Sequence, residues 1–201
     1  MNGRLVVFEG VDGSGKSTQL GRAAERLRAA GHDPLVTREP TDGPWGRRIR
    51  EMARSGQPVA AEEELRWFVE DRREHAEQEL RPALAAGRLV LCDRYFLSTA
   101  AYRGARGLDW RAILEESEAE FPVPDLVLVF ELSPEQGLER VRARGGPLET
   151  VFEHADRQSR VAEIFAAMER PYLERIPAGG PPDEVEAATA AALERRLGLG
   201  L

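Results

Sequence analysis

Lysine is almost missing from this 201-residue chain: the Lys and Arg side chains number 28, and Lys16 is the only lysine among them. Many Ala, Gly and Pro residues accompany the arginines, as a coding sequence rich in G and C would give. The arginine is therefore background, and Lys16 marks a position where arginine did not serve, since the two cations differ in shape and hydration. Cysteine is as scarce. Cys92 stands alone, which excludes an internal disulfide and fits a reducing cytoplasm. No apolar run approaches the roughly 20 residues a membrane helix needs. An apolar run begins at Leu5, so no room for a secretory signal is expected. Net positive charge is lacking too. At −7 the chain does not suit a general nucleic-acid binder, and its arginine clusters read as local anion sites. Internal repeats and long linkers are absent. With 42% apolar and 31% charged residues the composition is that of an ordinary folded protein, expected to form a single domain over 1–201. That length buries about 70% of the unfolded surface.

What the chain does have is a G-x-x-x-x-G-K-[ST] pattern. It lies in Phe8-Glu9-Gly10-Val11-Asp12-Gly13-Ser14-Gly15-Lys16-Ser17-Thr18, after a strand-like run at 5–8 and before a helical pattern at 17–30. Strand, glycine loop and helix start make a phosphate cradle. Glycines let successive N–H groups converge without Cβ clashes, and the helix N-terminus adds partial positive charge. Lys16 is placed to reach the outer phosphates, and the Ser17 hydroxyl to hold Mg²⁺.

Beyond the cradle the spacing predicts a strand at 34–37, a short helix at 45–52, and a long helix at 61–86 with a kink at Pro82. Residues 88–93 and 125–132 are compact apolar runs of the kind found in buried parallel strands. Ser133 and Pro134 start a helix running to about 144, and further helices are expected at 151–173 and 183–197 around a short strand at 174–176. The stretch 96–124 carries no assigned element in this reading. Alternating strands and helices indicate an α/β fold: a five-stranded parallel sheet flanked by helices on both faces.

A phosphate loop alone admits kinases, GTPases, ATPases and simple nucleotide binders. The guanine-reading N-K-x-D segment is absent, because Lys16 is the sole lysine, and no strand ends in D-x-x-G. Asp93 is followed at once by Arg94. An acid beside an arginine at a strand end suits a pocket where anions meet a metal, Asp93 serving Mg²⁺ and Arg94 an acceptor phosphate. Arg38 follows another strand, and Arg72 lies on the long helix. Phosphoryl transfer between two anions requires such positive forks.

Four motifs in order resemble the thymidylate kinases. They are the loop 8–18, Thr37-Arg38-Glu39-Pro40, Phe68-Val69-Glu70-Asp71-Arg72-Arg73-Glu74-His75, and Asp93-Arg94-Tyr95-Phe96-Leu97-Ser98-Thr99-Ala100-Ala101-Tyr102. The resemblance implies a P-loop kinase of dTMP, with ATP as donor, Mg²⁺ as cofactor, and a lid over about 140–153. It implies that Phe68 stacks on thymine, Arg72 bonds a base carbonyl, and Thr99 touches the base. Arg38 and Arg94 would hold the dTMP phosphate, with Ser98 in the same pocket. Asp12 would contact the acceptor side or its metal shell. Tyr102 would close on the sugar and favour deoxyribose, and Glu153 would lie near the nucleotide. A lid arginine, Arg142 or Arg144, with Arg157 a further candidate, would join in transfer. The family also forms dimers through helices; the Ala-rich long helix permits a homodimer and a monomer alike.

The chain departs from the family pattern in three places. Thr150-Val151 replaces an acid–arginine pair, Thr41-Asp42-Gly43-Pro44 replaces a G-G-T run, and Arg103 stands where glutamine is frequent. Two other readings remain open: a kinase of the same architecture with a different acceptor, and a nucleotide-binding switch without transfer.

Overall fold

A computed structural model describes residues 3–57, 59–143 and 151–200, without the side chains of 151–155. The predicted strands all form: β1 (Arg4–Gly10), β2 (Leu35–Arg38), β3 (Leu89–Asp93), β4 (Leu126–Glu131) and β5 (Leu173–Pro177). They join in one sheet in the order β2-β3-β1-β4-β5, every pairing parallel. Sequence explains this order. The three inner strands are near-continuous apolar runs and are buried almost throughout, whereas the edge strand β2 alternates half-buried and exposed positions. Placing β1 at the centre brings Gly10 out between Asp93 and Phe130, the ends of two neighbours, where open parallel sheets bind ligands.

Helices cover both faces. α1 (Lys16–Ala29) packs on α9 (Pro182–Leu197), and these lie against β1, β3 and β5. On the other side α5 (Phe96–Gly104) packs on α3 (Ala61–His75), α6 (Trp110–Glu120) and α8 (Val151–Ala167). α2 (Pro44–Ser55) lies on α3, and α7 (Pro134–Ala143) on α8. One apolar cluster joins the sheet to these layers. Among the described residues no helix is long and apolar enough to cross a membrane.

Three elements differ from the sequence reading. The long helix runs unbroken over 61–85 but is not α-helical throughout: α3 ends at His75, a π-helical turn covers Ala76–Leu80, and α4 (Arg81–Ala85) follows with Pro82 in its first turn. Pro82 has no N–H to give the carbonyl four residues back, and the wider turn just before it absorbs the missing bond. α8 stops at Ala167, four residues before Pro171, instead of continuing to 173. The unassigned stretch 96–124 holds two helices, and α6 is capped by Asp109, whose carboxylate accepts from the N–H groups of Arg111 and Ala112.

The cradle and α7 meet backbone to backbone. A Cβ on Gly13 would lie 2.3 Å from the Gly137 carbonyl oxygen, and one on Gly137 would lie 2.7 Å from that of Asp12. Gly21, in α1, faces open space. A glycine within a helix normally costs about 0.5–1 kcal/mol relative to alanine. Gly21→Ala should therefore stabilise the protein by about that amount in urea unfolding. Gly137→Ala should destabilise it by about 1–3 kcal/mol, as overpacking does; a gain in stability there would contradict the contact.

Candidate active site

Gly10, Gly13 and Gly15 all have positive φ, at 139°, 83° and 87°. At Gly10 a side chain is also barred by space, since a Cβ would approach the Phe130 carbonyl oxygen to 2.6 Å. α1 then starts at Lys16 with no side-chain cap and no acidic residue in its first turn. The N–H groups of that turn are therefore left for an anion. Val11, Asp12 and Ser14 complete the loop, and Thr18 continues the first turn. Lys16 lies folded into the cradle, buried, its Nζ donating to the Val11 carbonyl at 3.4 Å and standing 3.9 Å from Asp12. Burial, with the Arg94 guanidinium close by, lowers its pKa to about 8.

Beside the cradle a cavity of about 230 Å³ is lined by Gly13, Ser14, Gly15, Thr18, Arg140 and Gly180, among others. Arg140 was expected in the lid. It instead reaches across from α7 to donate to the carbonyls of Ala178 and Gly179, at 3.0 and 3.4 Å, which fixes the loop entering α9.

Ser17 and Asp93 come together as expected, the serine hydroxyl donating to Asp93 Oδ2. Asp93 Oδ1 is buried and has no hydrogen-bond partner. A hydroxyl and an unsatisfied carboxylate oxygen at the mouth of a phosphate cradle fit Mg²⁺, which takes one or two protein oxygens and leaves the rest to water and phosphate.

On the acceptor side Arg94 follows β3 in a left-handed conformation, φ 69°, the only positive φ among described non-glycine residues. Such a conformation persists only where the surroundings enforce it. The Arg94 N–H donates to the Phe8 carbonyl at 3.0 Å. Its guanidinium donates to Ser98 Oγ at 2.9 Å and to the Asp12 carboxylate, and lies 5.2 Å from the ring centroid of Tyr102. Asp12 also accepts from Gln158 of α8 at 3.2 Å. Burial would raise the Asp12 carboxyl, but Arg94 and then Lys16 outweigh it and hold the carboxyl low. Burial pushes the Tyr102 hydroxyl up, keeping it neutral.

Between α3 and α5 the predicted base-reading residues are neighbours. Arg72 is 1% exposed and donates twice to Glu39, at 2.9 and 2.6 Å, and once to Thr99 Oγ1 at 2.8 Å. Its Nη1 has no partner. One turn earlier, Phe68 lies under the guanidinium of Arg103, 4.9 Å from its centroid, and Arg103 is paired with Glu64. Glu39 and Glu64 were not anticipated in these roles. Glu39 belongs to the Thr37-Arg38-Glu39-Pro40 motif, but its partner is 33 residues away.

The remaining predicted residues are more scattered. Arg38 is exposed, paired with Asp42 at 3.0 Å. It lines a cavity of about 840 Å³, which it shares with Ser17 and Asp93 rather than with Phe68 or Arg94. Arg142 is exposed on the last turn of α7, and Arg157 is exposed on α8. Arg144 lies outside the described residues, as does half of the expected lid, and the side chain of Glu153 is not described.

Glu39 also accepts from His75 Nδ1 at 3.0 Å, while His75 Nε2 meets Glu79 at 3.1 Å. Burial works against the imidazolium, yet the two carboxylates outweigh it and raise the pKa above the usual histidine value. A raised folded pKa stabilises fully below the unfolded value of about 6.5 and is lost as pH climbs through the folded one. His75→Gln should therefore lose more stability at roughly pH 6 than at roughly pH 8.5, by urea unfolding. An equal loss at both would remove the ion pairs from the account.

Comparison with known proteins follows the same lines. The family profile described as "Thymidylate kinase" matches residues 8–188. A protein named thymidylate kinase from Desulfotalea psychrophila is 42% identical over 184 residues, covering 92% of this chain and 91% of its own length. One of the same name from Xanthomonas euvesicatoria is 42% identical, with 97% and 87% covered. Another, from Akkermansia muciniphila, is 41% identical, with 97% and 93% covered. On the profile match and these identities, the chain belongs to the thymidylate kinase family.

Proposed function

We propose that the chain acts as one catalytic domain that transfers the terminal phosphoryl group of ATP to dTMP, giving ADP and dTDP, with Mg²⁺ bound. One observation carries this reading. Two cationic seats face each other across Asp12: the cradle with Lys16 on one side, the strained Arg94 on the other. Repelling anions need such a pair of seats to meet head to head.

On the donor side Gly10 to Thr18 wrap the phosphates, and the cavity beside Arg140 and Gly180 takes the nucleoside. Ser17 and Asp93 hold Mg²⁺, which when bound neutralises charge on the outer phosphates. On the acceptor side the dTMP phosphate competes with Asp12 for the Arg94 fork, with Ser98 steadying it. The unpartnered Nη1 of Arg72 is a buried donor suited to a thymine carbonyl, with Thr99 beside it. Phe68 offers an aromatic face at the same level, and Tyr102 bounds the sugar. Arg38 serves an anion in the cavity it shares with Ser17 and Asp93.

Transfer runs in line with no covalent intermediate, because the acceptor phosphate is already an anion and needs no strong base. Lys16 and Arg94 neutralise the developing charge, and Arg142 or Arg144 adds to it when the lid closes, with Glu153 near the nucleotide. The working unit is a homodimer formed through helix faces, as in the family. It acts in the cytoplasm, in keeping with the lone, buried Cys92.

Turnover with ATP should be highest on dTMP among dTMP, dUMP, dCMP and thymidine; activity on thymidine but not dTMP would overturn the assignment. Lys16→Ala should lower kcat on the order of 100-fold, as loss of one positioned charge stabiliser does. Arg72→Ala should chiefly raise the dTMP KM, assayed well below the unfolding midpoint, since the unpaired Glu39 costs about 3–5 kcal/mol of stability. Phosphates raise the pKa of Lys16, so Mg-ATP binding should take up protons at roughly pH 8.5 and far fewer at roughly pH 6.5. Calorimetry in buffers of different ionisation enthalpy reads this directly, and no uptake at the higher pH would refute the placement of Lys16.

A further inference from the structure

Glu9 immediately precedes the first cradle glycine, is fully buried, and does not line the cavity beside the cradle. A carboxylate so placed is costly unless donors surround it. Glu9 Oε1 accepts from the N–H groups of Tyr95 and Ser98, at 2.8 and 3.0 Å, and Oε2 accepts from the Ser98 hydroxyl. The same hydroxyl accepts from Arg94 Nη1 at 2.9 Å. An unbroken line of bonds thus runs from carboxylate to hydroxyl to guanidinium.

We propose that Glu9 is a positioning residue for the acceptor: acting through Ser98, it sets the direction in which Arg94 presents its fork. The chemistry of the hydroxyl carries the argument. A serine facing a carboxylate must spend its one proton there, which leaves its lone pairs for Arg94. Replace the carboxylate by an amide and the serine meets a donor at Oε2's position, so its orientation is no longer imposed. The guanidinium also reaches the Gly10 carbonyl and the Tyr102 hydroxyl, at 3.4 and 3.5 Å, both longer than its bond to Ser98. Asp12 is half exposed and must yield to the incoming phosphate, so it cannot fix the guanidinium during binding. Glu9 and Ser98 stay in place when Asp12 is displaced. The Glu9 carboxylate also holds the first turn of α5, the helix that carries Thr99 and Tyr102. Its hydrogen bonds go to Tyr95 and Ser98 and none to the cradle N–H groups, and on the donor side only Lys16 feels its charge, as the smallest of the influences on that amine.

This inference rests on Arg94 being the acceptor clamp, and the test separates the two claims. Steady-state kinetics should be compared for Glu9→Gln, Ser98→Ala and Arg94→Ala, varying ATP and dTMP in turn. Glu9→Gln should raise the dTMP KM about tenfold and leave the ATP KM within about twofold. Ser98→Ala should do the same, and Glu9→Asp, which keeps the charge but shortens its reach to Ser98, carries the test with the same expected rise in dTMP KM if Glu9→Gln does not fold. A role limited to supporting the fold would move both KM values together, or lower kcat alone; either result overturns the proposal, as does an unchanged dTMP KM. If Arg94→Ala leaves the dTMP KM unchanged, the clamp reading itself fails. If Arg94→Ala raises it and the other two variants do not, only the role of Glu9 falls.

Discussion

A guanidinium taken out of water is tolerated only beside a carboxylate, and the acceptor side of this cleft is built on that constraint. Arg72 is matched by Glu39, Arg103 by Glu64, and Arg94 by Asp12. Each pair joins segments far apart in the chain, so charge matching also fixes where α3, α5 and the cradle stand relative to one another. The cations that an anionic substrate needs are thus stored, aimed and neutralised before it arrives.

The three pairs are not equivalent. Glu39 and Glu64 are as buried as their partners and have no reason to let go. Asp12 sits on the cradle itself, half exposed, where a phosphate can take its place. A fixed carboxylate keeps an arginine in register, and in the function proposed above a displaceable one hands it to the substrate. Both kinds within one cleft let binding proceed without the backbone moving far.

Much of this was legible from the chain. Inner strands show as continuous apolar runs because both their faces are covered, and the cradle shows because its glycines are demanded by backbone geometry. Helix α5 was missed for a physical reason. It is buried on nearly every side, so Phe96 to Ala101 carries no polar face and no 3.6-residue period. The π turn after His75 was invisible because the chain stays helical through it, and Pro82 alone suggests only a kink. Arg72 and Arg94 could be singled out by motif, and so could Asp12 beside Arg94, but the buried acids behind them could not. Glu39 and Glu9 are paired by the fold, across separations of 33 and 89 residues, and nothing local in the sequence announces such partners.

The scarcity of lysine has a practical consequence. Apart from the chain's α-amine, the cradle holds the one primary amine in the protein, and its pKa of about 8 leaves it substantially unprotonated in mildly alkaline buffer. An acylating reagent small enough to enter the cradle would mark a single side chain, and a seated nucleotide would shield it. The mass of the intact chain would then report, molecule by molecule, whether the donor seat was filled.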